Sequence, residues 1–287
     1  MSAWVADLPW PVVRQRAAAG AILAVPLGST EQHGPHLPLS TDTDIAVALC
    51  RRLAAARDDV LIAPPLPYGA SDEHAGFAGT LSIGQNVLEH LVTRLARSAC
   101  ETFGRVLLVC AHGGNAEAVT RAVARLRAES RDVRVHMPHW EGEPHAGRTE
   151  TAMQLSMTPQ RVSMADAVAG DPRPIGELMP LLRAGGVRSV SASGVLGDPA
   201  GATAAEGSRL LDTLAVRLIE EVEAWPVRSE AEGPATISSA HRPGGRSEAE
   251  AAWPVRSEAE GPATTSSAHR PGGRSEAEAA WPAESRS

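Results

Sequence analysis

Glu31, His33 and Asp42 lie within a dozen residues of one another in Gly28-Ser-Thr-Glu31-Gln-His33-Gly34-Pro-His36-Leu-Pro-Leu-Ser-Thr-Asp42. Carboxylate oxygen mixed with imidazole nitrogen is a donor set that holds hard and borderline divalent metals. A second stretch, Val106-Leu-Leu-Val-Cys-Ala-His112-Gly-Gly-Asn115, delivers an imidazole at the end of an apolar run. A third, His145-Ala-Gly147-Arg-Thr-Glu150-Thr, adds another imidazole and carboxylate where a Gly-containing turn enters a helix. Taken singly, each residue has a plainer role. Asp42 suits the start of the helix that follows it, Glu150 suits the positive end of a helix dipole, and His112 suits a packed, hydrogen-bonded histidine. The coincidence of three such loops points instead to metal-dependent catalysis. His36, His90, His136 and His139 keep the plainer reading. The chain has no HExxH, CxxC pair, GxSxG elbow or P-loop, so the competing hydrolase and phosphate-binding readings lose support.

These loops need strands to carry them. Short apolar runs at 21–25, 60–63, 106–111 and 133–137 have strand length. Helical spacing fills the intervals. Ile45, Leu49 and Leu53 share a face over 43–57. Leu88, Leu91, Leu95 and Ala99 do so over 86–103, with Gly104 as the stop, and a further helix spans 116–129. The last helix starts at Thr203 with Glu206 three residues on, a capping-box pattern, and carries Leu211, Leu214, Leu218 and Val222. Alternation of β and α segments predicts an α/β fold: a mostly parallel sheet with helices on both faces. Ligand sites of such sheets lie on loops past the carboxyl ends of the strands, where the Glu31 and His112 motifs fall. The Gly- and Ser-rich region 185–201 reads as loops plus one short strand near Val187 to Val190.

Composition narrows the partners. The net charge is −7, of which −2 belongs to residues 225–287 and −5 to the rest. No basic patch stands out, so neither nucleic acid nor an anionic membrane is an expected partner. All 27 basic residues are Arg, and with no Lys in the chain Schiff-base and lysine-base chemistry are excluded. Cys50, Cys100 and Cys110 are odd in number and set in apolar segments, as reduced thiols of a cytoplasmic protein would be. From Ala224 a 28-residue segment repeats at Ala252 with one change, Ile237 to Thr265, and a third copy starts at Ala280. Its Pro, Gly, Ser, Glu and Arg cannot bury enough apolar surface to offset ordering entropy. The expected organisation is therefore a catalytic domain over 1–224 and a disordered repetitive tail over 225–287, whose histidines His241 and His269 take no role. Truncation after Ala224 is expected to be harmless.

The blocks E-Q-H-G-P-H-L-P-L-x-T-D, H-G-G-N and H-A-G-x-x-E-T, together with Gly79-Thr80-Leu81-Ser82 and the segment from Gly194 to Thr203, occur in the order found in the creatininase family of metal-dependent amidohydrolases. The chain resembles that family over residues 20–223. The resemblance implies two divalent ions per subunit, zinc, iron or manganese, with Glu31, His33, Asp42, His112 and Glu150 as ligands and Asp42 shared between the ions. Such ions lower the proton affinity of water and polarise an amide carbonyl. His145 is then the expected donor of a proton to the departing amine, its alternative role being to orient Glu150. One departure bears on the ligand set. The acid that creatininase carries two residues after the histidine of the third loop is Gly114 here, and Glu150 is expected to replace it.

The stretches Gly69-Ala-Ser-Asp-Glu-His74 and Pro174 to Val187 are similar to one branch of the family, peptidases that remove a C-terminal Val-Tyr dipeptide from a modified precursor peptide. Ala78 and Ser193 depart from that branch, where Pro and Asn are usual. Glu73, His74 and Phe77 are the expected substrate-pocket residues. A creatininase-type enzyme acting on a small cyclic amide or formamide is the alternative, and a non-catalytic family member a further one. The resemblance also implies a homo-oligomer, commonly a hexamer.

Overall fold

The computed structural model describes residues 2–226, and the predicted tail lies outside the described residues apart from its first two positions. In chain order the regular elements are α1 (Trp10–Ala18), β1 (Ile22–Leu27), α2 (Thr41–Ala56), β2 (Val60–Ile62), α3 (Gly84–Ala99), β3 (Arg105–Cys110), α4 (Ala116–Ala128), β4 (Val133–His136), α5 (Arg148–Met157), α6 (Ile175–Gly185) and α7 (Ala204–Glu223). The four strands form one wholly parallel sheet in the order β2-β1-β3-β4.

The strands read as unbroken apolar runs because both faces of the sheet are covered. Ile22, Ala24, Val60, Ile62, Leu107 and Val109 face α2, α5 and α7. The alternating residues Leu23, Val25, Leu61, Val106 and Leu108 face α3 and α4. In α7 the predicted stripe of Leu211, Leu214, Leu218 and Val222 is buried, and Glu206 N–H donates to Thr203 Oγ1 at 3.2 Å, as the cap predicts. The Glu206 carboxylate does not close the capping box; it accepts from Arg148 Nε at 2.9 Å.

Three expectations are corrected. Helix α3 ends at Ala99, not 103, and its buried face runs through Leu88, Val92 and Ala96, four residues apart, which leaves Leu95 38% exposed. The segment near Val187 is a 3-10 turn, Val187–Ser189, not a strand. Val187 packs on Leu178 and Leu196 instead of pairing with the sheet. Finally, the fold does not stop at 224. Trp225 is 3% exposed, packs with Leu214 and Val222, and lies beneath the Arg134 guanidinium, while its indole Nε1–H donates to Asp132 at 3.0 Å. The first copy of the repeat thus carries a core residue at its second position. Truncation after Ala224 is expected to cost about 3–5 kcal/mol, the usual loss for deleting a buried Trp, whereas truncation after Pro226 leaves stability unchanged. Urea unfolding of the two truncated proteins checks this.

Candidate metal centre

The sheet order explains why distant motifs meet. Strands β1 and β3 are neighbours, with Leu27 opposite Cys110, and chain order reverses between them. Loops leaving the carboxyl ends of such a pair open a crevice between them. The β1 loop carries Glu31 and His33 and leads into α2, whose first turn holds Asp42. Close approach is possible because residue 28 is glycine: a Cβ there would collide with the backbone of Thr43. The β3 loop carries His112. Asn115, three residues on, accepts from Ala70 N–H at 2.8 Å and donates to Gly28 O at 2.9 Å. One amide therefore ties together the loops after β1, β2 and β3. Glu150 stands in the first turn of α5, its Oε2 accepting from Ala146 N–H at 2.6 Å. Ala146 adopts φ +53°, a strained conformation for a residue with a Cβ, and this turns its N–H toward the carboxylate.

Two triads of donors result, each with its ligand atoms within 4.8 Å of one another: Glu31, Asp42 and His112, and His33, Asp42 and Glu150. Asp42 is common to both, and all five side chains are buried. His33 Nε2 lies 3.2 Å from Asp42 Oδ1, and His112 Nδ1 lies 3.1 Å from Asp42 Oδ2, which also accepts from Ser29 Oγ at 2.6 Å. A third group of the same tightness, Glu31, His33 and His145, overlaps the first two.

The electrostatics show a site short of positive charge. Burial drives the Glu31 carboxyl up to about 7 despite the nearby His112, and burial likewise lifts Glu150 to about 7 against the pull of His33. Burial also opposes charge on His33 and His112, but carboxylates overcome it: chiefly Asp42 for His33 and Glu31 for His112, and both rise to about 10. Asp42 is held well below its usual range because His33 and His112 outweigh its burial. Neither oxygen of Glu31 has a hydrogen bond of acceptable geometry, although His112 Nε2 lies 3.2 Å and His74 Nε2 3.4 Å away. A buried carboxylate without hydrogen bonds is costly unless a cation answers it. The donor set and this orphaned carboxylate fit divalent metal.

A residue between two of the predicted ligands organises the histidines. His145 Nε2 lies 2.8 Å from Gln32 O, which fixes its proton on Nε2 and leaves Nδ1 a lone pair facing Glu31 Oε1 at 3.9 Å. The Gln32 amide donates to His74 Nδ1 at 2.8 Å and to Gly194 O at 3.2 Å, so His74 carries its proton on Nε2, toward Glu31. The rings of His33 and His74 lie 4.4 and 4.5 Å from that of His145. Burial, followed by His33 and His74, keeps His145 neutral, and burial with His112 and His33 lowers His74 to about 3. Sequence reasoning passed over Gln32, Ser29 and Asn115; the signal available was their place inside or beside the motif blocks.

Gly114 has a physical explanation. A Cβ at this position would strike Ala70 O, the Glu73 carboxylate and His112 Nε2. The space that an acid at residue 114 would enter is filled from the loop after β2. Glu73 Oε1 is 3.7 Å from His112 Nε2. Glu73 and His74 line a cavity of about 460 Å³ that opens on His112 and His145. Phe77 is not part of that lining; it packs behind it, against Leu178, Val187 and Leu196. His36 is buried against Thr151 Oγ1 at 2.9 Å, and His136 pairs with Glu221 at 2.7 Å, as their plainer reading requires.

A parallel sheet with buried carboxylate–imidazole triads at its switch point is the arrangement on which the comparisons converge, and this chain belongs to the creatininase family of hydrolases that act on amide and peptide bonds. The family model described as creatinine amidohydrolase matches residues 6–222. Among individual relatives, the chain is 46% identical over 220 residues to the mycofactocin precursor peptide peptidase of Mycolicibacterium smegmatis, covering 74% of this chain and 88% of that protein. It is 43% identical over 236 residues to the protein of the same name from Mycobacterium tuberculosis, covering 77% and 92%. Among solved structures, a mutant creatininase of the Zn–Zn type superimposes with a TM-score of 0.66 at 24% identity, over 78% of this chain and 98% of that one. No helix among the described residues is long and apolar enough to cross a membrane.

Proposed function

We propose that the chain is a dinuclear-metal peptidase that removes the C-terminal Val-Tyr dipeptide from the modified mycofactocin precursor peptide. The observation that carries the reading is the pair of buried triads sharing Asp42 beside a cavity large enough for a peptide segment. Relatives 43–46% identical that are named mycofactocin precursor peptide peptidases support the substrate. In this reading Glu31, Asp42 and His112 would hold one ion, and His33, Asp42 and Glu150 would hold the other. Bound there, divalent ions would supply a water-derived nucleophile near neutral pH and polarise the scissile carbonyl. Zinc, iron and manganese all suit the donors.

The chain's own residues do the rest. Asn115 and Ser29 hold the loops and Asp42 in register. Gln32 keeps His145 in one tautomer. His145 Nδ1 has no hydrogen-bond partner among the described residues, so it takes up the proton lost by the attacking water. His145 then returns a proton to the amine as the C–N bond breaks. Mass spectrometry of the modified precursor peptide, incubated with zinc-, iron- or manganese-loaded protein, tests the reading. Release of free Val-Tyr is expected. An intact peptide alongside turnover of a small cyclic amide or formamide would replace this substrate with the alternative.

A further inference from the structure

Hydrolysis of an amide turns a neutral group into two ions. The acyl half keeps the oxygen of the water as a carboxylate, and the amine nitrogen leaves with both of its protons as an ammonium. A carboxylate suits divalent cations, whereas an ammonium needs an anion, and no residue has yet been given that task.

Glu73 is placed for it. The residue sits in a 3-10 turn, Asp72–His74, that follows β2, and two glycines leave it room. A Cβ on Gly114 would strike its carboxylate, and a Cβ on Gly186, where φ is +67°, would strike its carbonyl oxygen. The carboxylate belongs to none of the tight groups of metal donors, so it stands beside the centre and not in it. Among the described residues no hydrogen bond ends on it. His112 Nε2, 3.7 Å away, is beyond hydrogen-bond reach and lies 3.1 Å from Ala70 O. The Glu73 side chain is 34% exposed and lines the cavity together with His145, the residue proposed to return a proton to the amine. Arg183, on α6, is the other permanent charge in that lining, and no ion pair among the described residues joins it to Glu73. A cation in the cavity is repelled at Arg183 and drawn to Glu73. The unpaired anion of the cavity and the residue that protonates the leaving group thus border the same space.

We propose that Glu73 binds the amine released by hydrolysis, pairing with the ammonium as it forms. The assignment rests on the peptidase reading above, and adds how the enzyme recognises the nitrogen side of the bond it cuts. It follows that the amine product competes with substrate through its positive charge.

Calorimetric titration of the metal-loaded, full-length protein reads the site without requiring turnover. The probes are Val-Tyr amide and its des-amino analogue, 3-methylbutanoyl-Tyr amide, at pH 6.5, where an α-amino group is charged. The amidated end leaves the ammonium as the one charge by which they differ. Val-Tyr amide is expected to bind about tenfold more tightly, the low end for a charge-assisted hydrogen bond because the carboxylate is part-exposed. In Glu73→Gln, which keeps the shape and loses the charge, that preference falls to nearly one, while Glu73→Asp retains part of it. Inhibition of precursor cleavage by Val-Tyr amide weakens in Glu73→Gln by the same factor, and the variant binds as many zinc ions as the unaltered protein. A general loss of structure would not leave zinc binding intact while erasing the preference. Equal binding of the two probes by the unaltered protein, or a preference that persists in Glu73→Gln, overturns the proposal. Loss of a zinc ion from that variant overturns it too, since Glu73 would then be a ligand. If the preference depends on Glu73 but the precursor peptide is not cut, the amine site stands and the assigned substrate falls.

Discussion

Glu31→Gln is expected to abolish hydrolysis, by a factor on the order of 10³ or more given that removal of a single charge-stabilising group commonly costs 10²–10³, while making the metal-free protein more stable. The two effects have one cause. Glu31 is buried, accepts no hydrogen bond of acceptable geometry, and has its carboxyl raised to about 7 by burial. Without metal its charge is a liability, and the neutral isostere removes it; a gain of about 1–3 kcal/mol is the usual scale for relieving an unsatisfied buried group. The gain has a pH signature. A carboxyl whose folded pKa is raised contributes stability that is full below its ordinary value of 4.5 and is lost as pH rises through about 7. The variant's advantage is therefore largest at pH 8 and vanishes below pH 4.5. With zinc or manganese present the order inverts, because the unaltered protein gains binding energy that the variant lacks. Thermal unfolding of both proteins, with chelator and with metal at pH 5 and pH 8, measures all four states. Equal stability of the two proteins under chelator at pH 8 would remove the argument that this carboxylate awaits a cation.

Metal uptake is expected to release protons and to tighten steeply with pH, by up to about a hundredfold per unit if both imidazolium protons are displaced. In the metal-free site His33 and His112 remain protonated up to about pH 10, held by Asp42 and Glu31, and the triads can bind metal only through their unprotonated nitrogens. Both shifts are upward from 6.5, so their contribution to stability is full below 6.5 and disappears as pH approaches 10. Glu31 and Glu150 act in the same direction between 4.5 and about 7. His36, lowered to about 4, His74, lowered to about 3, and His145 act oppositely, and their effect is complete by pH 6.5. Above pH 7 the metal-free protein should lose stability steadily, and the metal-loaded protein should not. Titration calorimetry in buffers of differing ionisation heat counts the protons released. An affinity flat between pH 7 and 9 would show that these histidines are already neutral.

Local signals carried much of this protein into view. Four strands were legible because each is a short apolar run, buried on both faces of the sheet and so uninterrupted by polar residues. Helix α7 was legible from its cap at Thr203 and its leucine spacing, both of which lie within the segment itself. Glu31, His33, Asp42, His112 and Glu150 stood out because their types are unusual at strand ends and helix starts between glycines. Other features were illegible for equally physical reasons. Trp225 looks like part of a repeat too polar to fold, and its packing on α7 together with Asp132 and Arg134, some ninety residues earlier, makes it part of the core. The stripe chosen for α3 was one step off the buried one, since Leu91 and Leu95 satisfy helical spacing as well as Val92 and Ala96 do.

By itself the sequence determined the class of sheet and marked out the loops whose carboxylates and imidazoles are candidate donors. Strand length, capping and turn chemistry depend on neighbours a few residues apart. The tertiary structure decided which donors share a centre. It set β1 beside β3, brought Asp42 between His33 and His112, placed Gln32 as the holder of two histidines, and filled the space above Gly114 with Glu73. It alone swung α6 over the cavity and brought Arg183 to its edge. Those relations depend on sheet register and on packing between segments far apart in the chain, and no local pattern encodes them.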